Sequence, residues 1–240
     1  LYKICTQEMI IGNRGIVANG VGKIRTNGLR NGKMKILNLY AGIGGNRKLW
    51  GDEHEVVAVE NDEDIAKMYQ DLYPQDTVIV ADAHKYLLDL VLQEFYDFIW
   101  SSPPCPTHSR MVFLKKENEK YNLQYPDMRL YEEIILLKTF FKGSWVVENV
   151  KSYYDPLIEP QVSGGHYFWS NFTIPNLETR KKVRNDKGYT LAKKMQEKDI
   201  YIENFYNYKR DKRTLLNNAI EPELGKAILD SAINETIRDN

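Results

Sequence analysis

The sequence has few cysteines, no long apolar run and no net charge, and each of these absences makes a class of protein less probable. Cys5 and Cys105 are the only two cysteines, which is too few for the disulfide framework of a small secreted protein. No stretch reaches the roughly 18 apolar residues that a membrane-spanning helix needs. The first residues lack the basic-then-apolar pattern of a secretory signal. We therefore expect a cytoplasmic protein with reduced cysteines and no membrane contact.

The charge is balanced over the whole chain but not along it. The 240 residues are enough for one sizeable α/β core, and they carry 33 Lys and Arg against 33 Asp and Glu. Residues 180–213 hold 12 basic against 5 acidic residues, a net charge of +7, which leaves −7 for the rest. Such a segment is typical either of an ordinary solvated surface or of a surface that binds phosphates.

Two regions are distinguished by their hydrophobic pattern. Residues 1–33 are rich in Gly and Asn without a sustained apolar period, and we expect a disordered leader, with Met34 as a candidate natural start. From there, short strands alternate with amphipathic helices, and a C-terminal helix follows at 221–238. The predicted strands are 35–40, 55–60, 77–81, 96–101, 144–149 and 167–174, and the intervening helices are 62–73, 83–94 and 128–141. This alternation predicts a doubly wound α/β sheet of the Rossmann-like type, which binds ligands at the carboxyl ends of its strands.

Three consecutive strand ends carry residues suited to an adenosine-like ligand. The first, NLYAGIGG at 38–45, has glycines that allow a tight turn and a close approach of the backbone to a ligand. Glu60 ends the second strand, where a carboxylate can accept both hydroxyls of a ribose, and Asp82 ends the third, where it can accept from an adenine amino group. Each acid taken alone could equally be a surface residue.

The fourth and fifth strand ends carry a thiol and a carboxyl group. Cys105 lies in SSPPCPTHS, where two prolines stiffen an irregular polar loop, so its thiol is a candidate nucleophile and not only a small buried hydrophobe. Glu148, in WVVENV, follows an apolar strand where desolvation favours the protonated form, although it could also cap the next helix. His108 is too close in sequence to Cys105 to be assigned as its base partner.

The five motifs, in this order and spacing, resemble the cytosine-5 DNA methyltransferase family in a short form of the phage or prophage type. The resemblance implies a class I S-adenosylmethionine-dependent methyltransferase without a metal, in which Cys105 is the nucleophile and Glu148 the acid. MRLYEEI at 128–134 and NNAIEP at 217–222 resemble two more motifs that line the cofactor pocket. The resemblance implies cofactor contacts from Tyr40, Ala41, Gly42, Ile43, Gly44, Gly45, Glu60, Asn61, Asp82, Ala83, Pro104, Leu130, Asn218 and Ala219.

The implied reaction is methyl transfer to C5 of a cytosine that is flipped out of double-stranded DNA, through a covalent adduct between Cys105 and C6. The resemblance divides the chain into a catalytic domain at 34–174, an abbreviated target-recognition region at 175–213 and a C-terminal segment at 214–240 that returns to the catalytic domain. We expect a monomer. The expected DNA contacts are Ser109, Asn149, His166, Lys181, Lys182, Arg184, Arg210 and Arg213.

Two departures from the family pattern keep alternatives open. Pro106 occupies a position where glutamine is common, and His166 lies in GGHYFWSNF where arginine is expected. The tyrosines and phenylalanine between positions 189 and 208 can contact bases or form a small hydrophobic cluster. An RNA (tRNA) cytosine-5 methyltransferase and a catalytically silent DNA-binding paralogue are the rival functions. A role in restriction-modification or in viral DNA modification is equally compatible with the sequence.

Overall fold

A seven-stranded sheet lies at the centre of the computed structural model, which describes residues 32–90, 95–110, 125–178 and 190–238. The predicted leader lies outside these residues except for its last two positions. The strands are β1 Lys35–Leu39, β2 Glu55–Glu60, β3 Thr77–Val80, β4 Phe98–Ser101, β5 Ser144–Val150, β6 Gln161–Ser163 and β7 His166–Ser170. The helices are α1 Glu63–Leu72, α2 Ala83–Leu90, α3 Arg129–Phe140, α4 Leu191–Lys198, α5 Lys212–Asn218 and α6 Pro222–Arg238, and a 3-10 helix spans Asn46–Leu49.

The order of the strands confirms the predicted Rossmann-like class. The order is β3-β2-β1-β4-β5-β7-β6, and all pairs from β3 to β5 are parallel. The chain proceeds outward from β1 to β3 on one side and then crosses to β4 on the other. The order therefore reverses between β1 and β4, and sheets of this kind bind ligands at such a reversal.

The far edge of the sheet differs from the sequence prediction, because an antiparallel hairpin replaces the single expected strand at 167–174. β7 pairs antiparallel with β5 and with β6. The hairpin turns at Gly164 and Gly165, whose φ angles of 52° and 82° suit a two-residue turn of the primed type. β6 has only three residues, and its one apolar side chain, Val162, is exposed. It therefore carries no hydrophobic pattern that sequence analysis could detect.

The sheet is covered on both faces, which explains why its central strands are almost continuously apolar. On one face, Ile36, Trp100 and Phe168 pack with Ile228 of α6. On the other, Leu37 and Val147 belong to a cluster that includes Leu87 of α2 and Ile134 of α3. None of the helices within the described ranges is both long and apolar enough to cross a membrane.

The region after residue 190 packs against α1. Ile200, Ile202 and Leu216 form a third cluster with Ile65 and Met68 of that helix. Two of the aromatic residues that sequence analysis singled out, Phe205 and Tyr208, pack against this cluster, whereas Tyr201 and Tyr206 are exposed. The hydrophobic-cluster alternative is therefore correct for the first pair.

Candidate active site

The turn after β1 has an unusual backbone conformation. Tyr40, Gly42 and Gly44 have φ angles of 56°, 55° and 71°, in the left-handed region that glycine adopts without strain. A Cβ atom added to Gly42 would meet no heavy atom within 4 Å. The glycine is therefore required by the backbone angle, and it leaves open space beside the turn for a ligand.

Gly45 serves a different purpose, because it allows the closing motif to approach the turn. A Cβ atom at this position would lie 2.5 Å from the carbonyl oxygen of Ile220 and 2.8 Å from the Cβ of Ala219. The segment NNAIEP thus passes directly over the glycine turn. Asn218, the last residue of α5, is exposed next to this contact.

Glu60 joins the glycine turn to the start of α1. Its carboxylate is 8% exposed and accepts from the backbone N–H of Gly42 at 3.0 Å and of Asp62 at 2.9 Å. Burial raises the pKa of Glu60, while these backbone donors act in the opposite direction. Because an ionised carboxylate has about four acceptor positions, it can still accept from ribose hydroxyls.

The other predicted cofactor residues form two groups. Asn61, Asp82 and Pro104 are exposed, and Asp82 also accepts from the backbone N–H of Lys85 at 3.1 Å in the first turn of α2. Buried apolar residues make up the second group, which consists of Ala41, Ile43, Ala83 and Leu130. The site thus combines an open glycine turn, a carboxylate at each of two neighbouring strand ends and apolar surroundings. These features fit an adenosyl group with a ribose.

Cys105 lies at the tip of a loop that β5 holds in place. Its carbonyl oxygen accepts from the backbone N–H groups of His108 and Ser109, both at 3.0 Å, which closes a turn around the cysteine. The amide of Asn149 donates to the carbonyl of Pro103 at 3.0 Å, and Ser109 forms a β-bridge with Ser152. The loop is therefore attached on both sides of the cysteine.

Asn149 was expected to contact DNA, and the structure places it elsewhere. Its side chain is 2% exposed, and its Oδ1 atom accepts from the backbone N–H of Val150 at 2.9 Å. The amide thus lies beneath the nucleophile loop and supports it.

The negative charge of Glu148 acts on the thiol of Cys105. Burial is the main cause that raises the pKa of Cys105, and the negative charge of Glu148 raises it further. The raised pKa favours the protonated thiol. The hydrogen bond from Asn149 to the carbonyl of Pro103 attaches the loop that carries Cys105 to β5, one residue after Glu148.

Glu148 contacts His166, which the sequence predicted to be a DNA contact. Its side chain is 7% exposed, and its Oε1 atom lies 2.7 Å from Nδ1 of His166. The antiparallel pairing of β5 and β7 sets Glu148 opposite Phe168 and Val150 opposite His166, so Glu148 and His166 are diagonal neighbours, two register positions apart on the same face of the sheet. His166 keeps 27% of its side chain exposed.

The surroundings of His108 do not suit a base that would deprotonate Cys105. Its ring is 1% exposed, and Nδ1 lies 2.6 Å from the hydroxyl of Tyr154. Burial lowers the pKa of His108. These contacts agree with the sequence argument that residue 108 is not the partner of Cys105.

The basic residues expected to bind DNA are only partly described. Lys181, Lys182 and Arg184 lie outside the described residues. Arg210 is exposed and donates to Asp62 at 2.6 Å, while Arg213 pairs with Asp211 at 2.9 Å. Both arginines thus already have acidic partners within the chain.

Sequence analysis missed a buried carboxylate, Glu133. It lies on α3 with no exposed surface and accepts from Tyr40, at the start of the glycine turn, at 2.6 Å. The detectable signal was its place within an apolar helical stripe that also contains Leu130, Ile134 and Leu137.

Several solved structures resemble this chain at low identity. A prophage-encoded protein of E. coli, described as a DNA modification methyltransferase, is 18% identical over 51% of this chain and 33% of its own, with a TM-score of 0.34. DNMT2 of Spodoptera frugiperda is 19% identical over 61% and 54%, at 0.38. A Haemophilus influenzae protein described as a methylase is 17% identical over 57% and 85%, at 0.39. The chain thus spans about a third of the length of the E. coli protein.

Comparisons with curated proteins and with family models gave different results. No curated protein matches the chain. The family model described as C-5 cytosine-specific DNA methylase matches residues 34–156, just over half of the chain. Methylases of this kind take their methyl group from S-adenosylmethionine, in agreement with the cofactor expected from the sequence. This chain belongs to the C-5 cytosine-specific DNA methylase family.

Proposed function

We propose that the protein is a DNA (cytosine-5)-methyltransferase that acts through a covalent adduct on Cys105. The observation that carries the proposal is the attachment of the Cys105 loop, which follows β4, to β5 beside Glu148 through the hydrogen bond from Asn149 to Pro103. The carboxyl ends of β1 and β2 carry the proposed cofactor residues. Because β2, β1 and β4 are parallel neighbours, these ends lie along the same edge of the sheet as the end of β4.

The residues divide the chemistry between them. The thiolate of Cys105, formed when the thiol gives its proton to solvent, attacks C6 of the cytosine and forms a carbon–sulfur bond. The C5–C6 electron pair shifts to C4–C5, and the C4–N3 pair takes up at N3 the proton that Glu148 gives. When bound, S-adenosylmethionine would supply the methyl group that C5 takes up, with the electron pair of the broken sulfur–carbon bond remaining on sulfur in S-adenosylhomocysteine. Loss of the C5 proton to solvent, cleavage of the carbon–sulfur bond and return of the N3 proton to Glu148 restore the base and the enzyme.

The local contacts support this division. Asn149 fixes Pro103, two residues before the nucleophile, and thereby limits where the sulfur can lie. His166 occupies Oε1 of Glu148, which leaves Oε2 available for the base. The hydrogen bond can run from Nδ1 to the carboxylate, or from a protonated carboxyl group to Nδ1. In both cases His166 orients the acid.

Methyl transfer from labelled S-adenosylmethionine to unmethylated double-stranded DNA tests the proposal. We expect incorporation by the wild-type protein, none by Cys105→Ser, and covalent trapping of the wild type by DNA that contains 5-fluorocytosine. An active preparation that is not trapped would contradict the adduct.

Substrate competition distinguishes the rival functions. We expect unlabelled DNA to suppress incorporation more effectively than an equal concentration of tRNA. The reverse order would identify an RNA methyltransferase. Binding of DNA by a wild-type protein that transfers no methyl group to either substrate would identify a silent paralogue.

A further inference from the structure

A buried carboxylate outside the reacting groups connects three parts of the proposed site. Glu133 on α3 accepts from the hydroxyl of Tyr40 at 2.6 Å, from the hydroxyl of Ser101 at 2.6 Å and contacts Nδ1 of His84 at 2.9 Å. Its side chain has no exposed surface. A buried carboxylate with three partners of this kind is costly to maintain unless all are well placed, because its hydration is lost completely.

The three partners come from three different strand ends. Tyr40 begins the glycine turn after β1, and His84 lies in α2, two residues after Asp82. Ser101 is the last residue of β4 and stands directly before the nucleophile loop. One carboxylate therefore contacts the cofactor side and the nucleophile side of the sheet edge simultaneously.

Tyr40 shows why this contact matters. Its φ of 56° is disfavoured for any residue with a Cβ atom, so surrounding contacts must hold it in place. Burial, followed by the charge of Glu133, raises the pKa of Tyr40, so its hydroxyl remains a donor. The hydrogen bond to Glu133 raises the pKa of His84, which favours a protonated imidazole beside the buried carboxylate.

We infer that Glu133 is a positioning residue that holds Tyr40, and with it the glycine turn, in the conformation that binds the cofactor. The inference rests on the proposed function, because it takes this turn as the binding site for S-adenosylmethionine. Because Glu133 has no exposed surface, it acts through Tyr40 and Ser101 and not by direct contact with a ligand.

A double-mutant cycle with calorimetric titration of S-adenosylmethionine tests the inference. We expect Glu133→Gln to weaken binding about tenfold, since a charge-assisted hydrogen bond becomes a neutral one. Tyr40→Phe should weaken it less, and the double variant should bind no more weakly than Glu133→Gln alone. Glu132→Gln is the matched control, because this neighbouring glutamate contacts Nε2 of the same histidine from a side chain that is 55% exposed. We expect it to bind like the wild type.

The outcomes separate a positioning role from a purely structural one. Folded Glu133→Gln and Tyr40→Phe variants with unchanged cofactor affinity, or fully additive losses, would overturn the inference even if their melting temperatures fell. If Glu133→Gln does not fold, Tyr40→Phe alone decides, since it removes only one half-buried hydroxyl. A wild type that binds S-adenosylmethionine without methylating cytosine would refute the proposed reaction and leave this test intact. A wild type that does not bind it would overturn both.

Discussion

Nδ1 of His166 lies 2.7 Å from Oε1 of Glu148, across the antiparallel pair β5 and β7. The pair joins the proposed proton donor to an imidazole nitrogen that can donate to the carboxylate or accept from its protonated form. Its geometry follows from the hairpin at Gly164 and Gly165, which returns the chain alongside β5. A residue expected to bind DNA is thus also in a position to control the orientation of the acid.

We predict that His166→Gln lowers kcat about ten- to a hundredfold, because the charge-assisted hydrogen bond to Glu148 is lost. Cofactor affinity should be unchanged. Glu148→Gln should be more severe, by roughly 10²- to 10⁴-fold, as expected for removal of a general acid. Steady-state methyl transfer gives both values. The control is Tyr167→Phe, a half-buried residue in the next position, and equal losses in it and in His166→Gln would contradict the prediction.

The raised pKa of Cys105 predicts how its reactivity depends on pH. Since burial and then the charge of Glu148 raise this pKa, the thiolate forms at higher pH than in a free cysteine. Alkylation by iodoacetamide, measured in a Cys5→Ser background, should therefore accelerate with pH through a midpoint above that of free cysteine. Glu148→Gln should move the midpoint downward, because it removes the negative charge. An unchanged midpoint in that variant would show that the two side chains do not interact.

We predict that Asn149→Ala loosens the nucleophile loop without affecting the cofactor turn. The change leaves the carbonyl of Pro103 and the backbone N–H of Val150 without their partner, which costs about 1–3 kcal/mol of stability. Urea unfolding measures this loss. At a temperature where the variant is folded, kcat should fall while affinity for S-adenosylmethionine stays the same. A variant that loses stability but keeps full kcat would argue against positioning of the loop.

The site residues at the ends of the parallel strands could be predicted from the sequence. The central parallel strands β1, β2, β4 and β5 consist largely of buried apolar residues, and the motif residues lie near or just after their carboxyl ends. Glu60, Cys105 and Glu148 could be placed at strand ends for this reason, and the topology then brings those ends to one edge. The prediction depends on local sequence and on a rule of sheet topology, with no need for side-chain contacts.

Contacts between residues that are distant in the sequence could not be predicted from it. The role of Asn149 depends on the loop before Cys105 returning over β5, and that of His166 depends on a hairpin whose outer strand has three residues. Hydrophobic periodicity gives no information on either. Glu133 is intermediate, because an acid within an apolar helical stripe signals a buried network but does not identify its partners.

Two glycine substitutions should differ in how strongly they affect stability and cofactor affinity. In Gly45→Ala the added carbon would lie 2.5 Å from a backbone oxygen of Ile220, so we expect a loss of about 1–3 kcal/mol in stability, measured by urea unfolding. In Gly42→Ala the carbon enters open space, so the backbone strain costs only about 1–2 kcal/mol. Calorimetry should nevertheless show the larger loss of S-adenosylmethionine affinity for Gly42→Ala. The opposite ranking of affinities would move the cofactor away from this turn.

The salt dependence of DNA binding separates two groups of basic residues. Arg210 and Arg213 already hold Asp62 and Asp211, so replacing both with Gln should change the slope of log K against log salt by less than one phosphate contact, about 0.9. Replacing Lys181, Lys182 and Arg184 together with Gln should flatten the slope by roughly 2–3, because each phosphate contact that is lost contributes about 0.9. Fluorescence anisotropy with a DNA duplex at several salt concentrations gives the slopes. Because exposed ion pairs are worth only about 0–1 kcal/mol, DNA could displace both aspartates. Equal flattening per replaced residue in the two variants would show that DNA displaces the aspartates. The surface formed by Arg210 and α5 would then be part of the DNA interface.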